Sequence, residues 1–290
     1  MPEPVTLNQA FAGAAAALRQ AGIATPELDA RLLLCHAAGL SHEAYAADAG
    51  GAVQPAARTR FDDAIARRLR REPVSRITGT REFYGRPFAI APQALDPRPD
   101  TETLIEAALA LVERRGWRDK KLSVLDLGTG TGCILVTLLA ELPQAQGLGT
   151  DLSPGALALA AANAERLGVG ARATFVVADW LDGIGGTYHL ILSNPPYLAS
   201  GEIAGLAQEV ACYDPLLALD GGADGLDAYR RIAARAPMVL AESGRLLVEI
   251  GAGQAADVQD IVRAAELKLD ADYPVSRDLA GRPRVVAAGL

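Results

Sequence analysis

The chain has 290 residues, half of them hydrophobic, with a net charge of −7 and three cysteines. That length suits a large domain with a smaller one attached, each able to bury a core. Charged residues interrupt every apolar run before the ~20 residues a membrane span needs, which excludes a spanning segment. Cys35, Cys133 and Cys212 are scattered and odd in number, which argues against a disulfide framework. The three histidines are as dispersed, so no metal site is expected and the chain reads as soluble and cytoplasmic.

The first segment, MPEPVTLNQAFAGAAAALRQAG, carries Glu3 early and lacks a basic start, so it reads as an amphipathic helix and not as a signal peptide. TPELDARLLLCHAAG has a threonine–proline start, an acidic first turn and a stop at Gly39. PAARTRFDDAIARRLRREP is a further helix ending before Pro73, with Arg58, Arg60, Arg67, Arg68, Arg70 and Arg71 clustered on it. That cluster is either a solvated helix face or a docking surface for RNA or an acidic partner. From Val74 to Pro99 the composition shifts to Gly, Pro and β-formers, as in a short hairpin and linker. The expected organisation is a helical substrate-recognition domain over 1–80, a hairpin linker over 81–98 and a catalytic domain over 99–290.

A helix starting near Asp100 and closed by Gly116 opens the last part. Strand-like and helix-like segments then alternate: LSVLDLG, CILVTLLAEL; QGLGTD, PGALALAAANAERLG; ATFVVAD; HLILS. The helix GLDAYRRIAARAPMVL, the strand RLLVEIG, the helix QAADVQDIVRAAE and the strand RVVAAG follow. This alternation predicts an α/β fold, a mostly parallel sheet with helices on both faces. Residues 1–85 hold ten arginines against nine carboxylates, a balance of +1, and the remainder 18 basic against 26 acidic residues, a balance of −8. The larger part therefore lacks a basic footprint for a duplex and suits a cationic small molecule.

VLDLGTGTGCI is the strongest motif. A strand runs into Gly128, Gly130 and Gly132 before a helix, and glycines let a ligand lie against the backbone. The dinucleotide fingerprint fails at Cys133 and no phosphate-loop lysine follows. Asp151 ends the next strand, 19 residues after Gly132, where a carboxylate can accept both ribose hydroxyls or cap the helix near Ser153. Asp179 and Trp180 end the third strand, where they can bond an adenine amino group and pack on its ring, or Trp180 can be core. Together these describe an adenosine-containing ligand without phosphates.

The fourth strand ends in Ser-Asn-Pro-Pro-Tyr, residues 193–197. With the glycine loop and Asp151, this resembles class I S-adenosylmethionine-dependent methyltransferases that modify a planar nitrogen. Over nearly the whole chain the resemblance is to the peptide chain release factor glutamine methyltransferases, through EPVSRITGTREFYG, LDPRPDTETLIE, EVACYDPLLALDGGADGLDAYRRI, LLVEIGAGQ and RDLAGRPRVV. It implies a Rossmann-like domain after a small all-α one, S-adenosylmethionine as cofactor, and methylation of the Gly-Gly-Gln glutamine of release factors, with no stable nucleic-acid partner. It further implies that Gly128, Thr129, Gly130, Thr131, Gly132, Asp151, Asp179, Trp180 and Asn194 bind the cofactor. Asn194, Pro195, Pro196 and Tyr197 would hold the glutamine. The Asn194 side-chain and Pro195 main-chain carbonyls each accept an N–H, and Tyr197 packs on the flat group. Asp96, where the family usually has Ile or Val, and Arg76, where an aromatic is common, depart from the pattern and bear on hairpin packing or partner fit. A nucleic-acid amino-methyltransferase and a non-catalytic release-factor binder are the alternatives.

Overall fold

In the computed structural model, which describes residues 5–290, the chain divides into two compact units. The first comprises the described residues up to Thr80 with Gln208–Tyr213, and the second comprises Arg81–Ala207 with Asp214–Leu290. Glu3 lies outside the described residues.

The first unit is helical: α1 (Leu7–Gln20), α2 (Pro26–Ala38), α3 (His42–Ala47), α4 (Pro55–Leu69) and α5 (Val74–Thr78). Thr6 and Gln9 form a capping box at α1, and α2 starts on Pro26 and stops at Gly39, whose φ of 66° is left-handed. Leu18, Leu33, Leu34 and Phe61 meet in its core. Val74–Thr78, read from sequence as part of the hairpin, is a helical turn that Gly79 ends.

The arginines of α4 do not form an open face. Arg68 is buried and pairs with Asp29 at 2.7 Å, a carboxylate as buried as itself, and with Glu209 at 3.2 Å. Arg67 pairs with Glu72, while Arg60 and Arg71 donate to the carbonyls of Ala37, Ala21 and Gly22. A desolvated guanidinium needs this many acceptors, so Arg68 belongs to the unit's own interior, while Arg60 and Arg70 remain exposed.

In the second unit, the pair β1 (Thr80–Phe83) and β2 (Arg86–Ala89) precedes α6 (Glu102–Arg114), which a 3₁₀ turn over Pro99–Thr101 introduces. There follow β3 (Ser123–Leu127), α7 (Cys133–Glu141), β4 (Gln146–Asp151), α8 (Pro154–Arg166), β5 (Ala173–Val177) and β6 (Tyr188–Ser193). After α9 (Gln208–Ala211), which belongs to the first unit, come α10 (Asp227–Arg235), β7 (Leu240–Glu249), α11 (Ala255–Ala264), β8 (Lys268–Leu269), β9 (Val275–Arg277) and β10 (Pro283–Gly289). The large sheet runs β5-β4-β3-β6-β7-β10-β8, with β9 on β10. It is parallel from β5 to β7 and antiparallel at β10. Alternation along the strands fills two faces: Val124, Leu190, Leu192 and Leu247 pack with α6 and α7, and Leu125, Leu127, Ile191, Leu246 and Val248 with α10 and α11.

One expectation is corrected here. The helix read as running through GLDAYRRIAARAPMVL ends at Arg235, with a 3₁₀ turn over Ala236–Met238, and β7 starts at Leu240, before the expected RLLVEIG. Pro237 cannot donate into a continuing helix, and Tyr188 of β6 draws Leu240 into the sheet. Asp96 also finds its place. It is buried, its amide donates to Asp214 Oδ1 at 3.3 Å, Arg81 lies 3.9 Å from its carboxylate, and Arg98 pairs with Asp214 at 2.5 Å. Two arginines thus stand against two buried carboxylates.

Candidate active site

Parallel pairing brings the carboxyl ends of β3 to β6 to one sheet edge, with Leu127 opposite both Thr150 and Ser193, and Asp151 opposite Val177. A cavity of about 840 Å³ opens there, within the usual range for small-molecule sites. Its wall includes Gly128–Thr131, Asp151, Asp179, Trp180, Asn194 and Pro196. The segments separated along the chain are therefore assembled on one surface.

Gly128, Gly130 and Gly132 all have left-handed φ angles. Gly132 shows why: a Cβ there would lie 3.0 Å from the Ala160 Cβ, so α7 and α8 could not approach as they do. Asp151 braces the loop, accepting the Gly130 amide on Oδ2 and the Ser153 amide on Oδ1, both at 2.9 Å. It does not cap α8, a task done by the Ser153 side chain. Beneath the loop, Asp126 is fully buried and accepts the Thr129 hydroxyl at 2.6 Å. Burial raises its pKa to about 7.

Asp179 accepts Arg231 on Oδ2 at 2.7 Å, while its buried Oδ1 has no protein partner. Trp180 sits at φ 55°, and its ring edge passes 3.5 Å from a Cβ position on Gly128. The wall carries four aspartates (151, 179, 220 and 227) against Arg98 and Arg231, an acidic balance that favours a cation. Cys133 also borders it, but burial pushes its thiol up to about 12, which removes it as a nucleophile.

Asn194 follows β6, whose last residue, Ser193, donates to the Leu127 carbonyl at 2.8 Å. Pro195 is buried and Tyr197 packs against the α10–α11 cluster. The Tyr197 carbonyl accepts Gln254 Nε2 at 2.9 Å, and a Cβ on Gly225 would lie 2.4 Å from that same carbonyl. The turn is clamped on its outer side. Sequence reading passed over Gln254, Arg231, Thr101 and Glu249. A signal existed only for Glu249, an acid inside the otherwise apolar strand LLVEIG.

Glu249 is buried and its pKa is raised to about 7, chiefly by desolvation, with Thr101 and Arg284 opposing the shift. A raised folded-state pKa stabilises the fold below the unfolded value, about 4.3, and that stability is lost as pH rises through 7. The melting temperature of Glu249→Gln should therefore gain on wild type from pH 5 to pH 8.5. A difference independent of pH would mean that Glu249 does not ionise in this window.

Residues 9–79 match the PrmC N-terminal domain, and residues 104–212 match the methyltransferase small domain. The release factor glutamine methyltransferase of Rhodospirillum rubrum is 49% identical over 93% of this chain and 81% of its own. That of Cereibacter sphaeroides is 50% identical over 94% of both. The chain belongs to the release factor glutamine methyltransferase family. It is an S-adenosylmethionine-dependent enzyme with the class I methyltransferase fold. Among solved structures, the hMettl16 catalytic domain in complex with MAT2A 3'UTR hairpin 1 shares that fold at a TM-score of 0.56 and 16% identity, over 81% of this chain and 80% of its own. The N-terminal domain of human METTL16 in complex with SAH does so at 0.50 and 16%, over 70% and 75%. Among the described residues no helix is long and apolar enough to cross a membrane.

Proposed function

We propose that this enzyme methylates the side-chain amide nitrogen of the glutamine in the Gly-Gly-Gln loop of release factors, with Asn194 and the Pro195 carbonyl holding that amide. The reading rests on one observation: Asn194 shares a cavity wall with the glycine loop and Asp151. An amide nitrogen is a poor nucleophile because its lone pair is delocalised. Two fixed carbonyl acceptors would take its N–H groups and turn the lone pair toward the donor. S-adenosylmethionine supplies a methyl group on a positively charged sulfur. Asp151 would hold its ribose, Asp179 Oδ1 its adenine amino group, and Trp180 would cover the loop side. Pro196 would border the glutamine, and Tyr197, anchored in the core, would keep the turn in place. The helical first unit would recognise the release factor, in the cytoplasm where termination occurs. Nucleic acid is a poorer substrate, because most arginines of α4 are already engaged within their own unit.

The test is methyl transfer from labelled S-adenosylmethionine to an unmethylated release factor, with peptide mapping. DNA, total RNA and a factor lacking the loop glutamine serve as controls. Label confined to the Gly-Gly-Gln glutamine is expected. Label on nucleic acid, or on the factor lacking that glutamine, overturns the substrate.

A further inference from the structure

One stretch of the cavity wall is apolar and has no part in the cofactor contacts given above. Leu216 and Leu217 lie on a 3₁₀ turn over Leu216–Ala218 that borders the cavity, and they are 59% and 61% exposed. A single surface leucine is ordinary. Two adjacent ones at the rim of a cavity offer a contiguous apolar surface, which marks a place for a partner.

The exposure of these leucines is imposed by anchors on both sides of the turn. Before it, the buried Asp214 accepts the Asp96 amide and pairs with Arg98 at 2.5 Å. After it, Leu219 is buried and its carbonyl accepts the Leu198 amide at 3.2 Å. The Gly221 amide donates to the Leu198 carbonyl at 2.8 Å, and the Ser200 amide donates to the Gly222 carbonyl at 2.9 Å. The Ser200 hydroxyl donates to Asp220 Oδ1 at 2.7 Å. Leu198 directly follows Tyr197, so these bonds stitch the leucine turn to the Asn-Pro-Pro-Tyr turn. A Cβ on Gly221 would lie 2.7 Å from the Pro196 carbonyl, so the two segments approach as closely as a glycine allows.

An amide held at Asn194 brings its chain neighbours to this rim. At about 840 Å³ the cavity lies near the top of the range for one small ligand, which leaves room for part of a second. The glutamine placed at Asn194 follows two glycines, and a main chain without side chains can lie flat on a pair of leucines. The stretch Pro215–Asp220 holds neither a cation for a phosphate nor a ring for a base, so it suits a polypeptide and not a nucleic acid. We propose that Leu216 and Leu217 form the apolar ledge on which the Gly-Gly main chain of the release-factor loop docks while its glutamine reaches Asn194. The ledge sets affinity for the protein substrate and not the rate of the methyl step. The inference rests on the function proposed above.

The experiment compares wild type with the double variant Leu216→Ser/Leu217→Ser by kcat and KM for an unmethylated release factor, with peptide mapping of the label. Calorimetry reads the affinity for S-adenosylmethionine. KM is expected to rise about tenfold, the scale of removing a leucine side chain from a contact, with cofactor affinity and melting temperature kept. Leu216→Met/Leu217→Met, which preserves the apolar surface, should keep the wild-type KM. As a second reading, an environment-sensitive dye is placed on Leu217→Cys in a Cys212→Ser background, where Cys35 and Cys133 are buried. Its emission should shift to the blue with release factor and not with S-adenosylmethionine alone. Label on the Gly-Gly-Gln glutamine with an unchanged KM in the serine variant overturns the ledge and leaves the function standing. A fall in cofactor affinity that accounts for the whole loss, or a dye that responds only to S-adenosylmethionine, overturns it as well. Wild-type label away from that glutamine overturns the proposed function, and the ledge with it.

Discussion

Asn194→Ala is expected to lower methyl transfer by roughly 10²–10³-fold, the loss that follows removal of one preorganised hydrogen-bonding group from an active site. The effect should be confined to chemistry. Asn194 is partly exposed at the cavity and its one protein bond runs to Thr101, so its removal takes no apolar contact from either core cluster. Circular dichroism and the melting temperature should stay close to wild type, while kcat collapses in the labelled-methyl assay. Turnover within a few-fold of wild type would mean that another group orients the acceptor nitrogen.

Asp151→Ala is expected to act on the cofactor. A charge-assisted hydrogen-bond set to a ribose is worth roughly 1.5–3 kcal/mol, or about 10- to 100-fold in affinity. Asp151 also holds the amides of Gly130 and Ser153, so the variant loses the brace of the glycine loop along with its ribose acceptor. Calorimetry with S-adenosylmethionine reads the affinity, and the melting temperature reads the brace. If only stability falls, Asp151 is a structural residue of the loop. If neither moves, it has no part in the site.

Most of the site was legible in the chain because its parts sit at element boundaries, where residue type has local consequences. Gly128, Gly130 and Gly132 announce a turn that other residues resist, Pro195 and Pro196 end a strand by having no N–H, and Asp151 and Asp179 interrupt apolar runs. Thr101 and Gln254 carry no such mark, since a threonine at a helix start and a glutamine before a helix both have ordinary local explanations. The arginines of α4 show the reverse case. Their helical spacing is plain in the sequence, but Asp29 and Glu209, which absorb the Arg68 charge, lie far from it along the chain.

By itself, then, the sequence determined the alternation of strands and helices, the glycine loop, the acids that follow it and the Asn-Pro-Pro-Tyr turn, because each depends on backbone preferences and periodicity within about ten residues. Only the tertiary structure decided what stands behind them. Parallel register carried Asp151 and Asn194 to one edge, Tyr188 pulled Leu240 into β7, and a hydrogen bond joined Asn194 to Thr101. Hydrogen-bond direction and desolvation are properties of groups brought together from distant positions, and no local pattern encodes them.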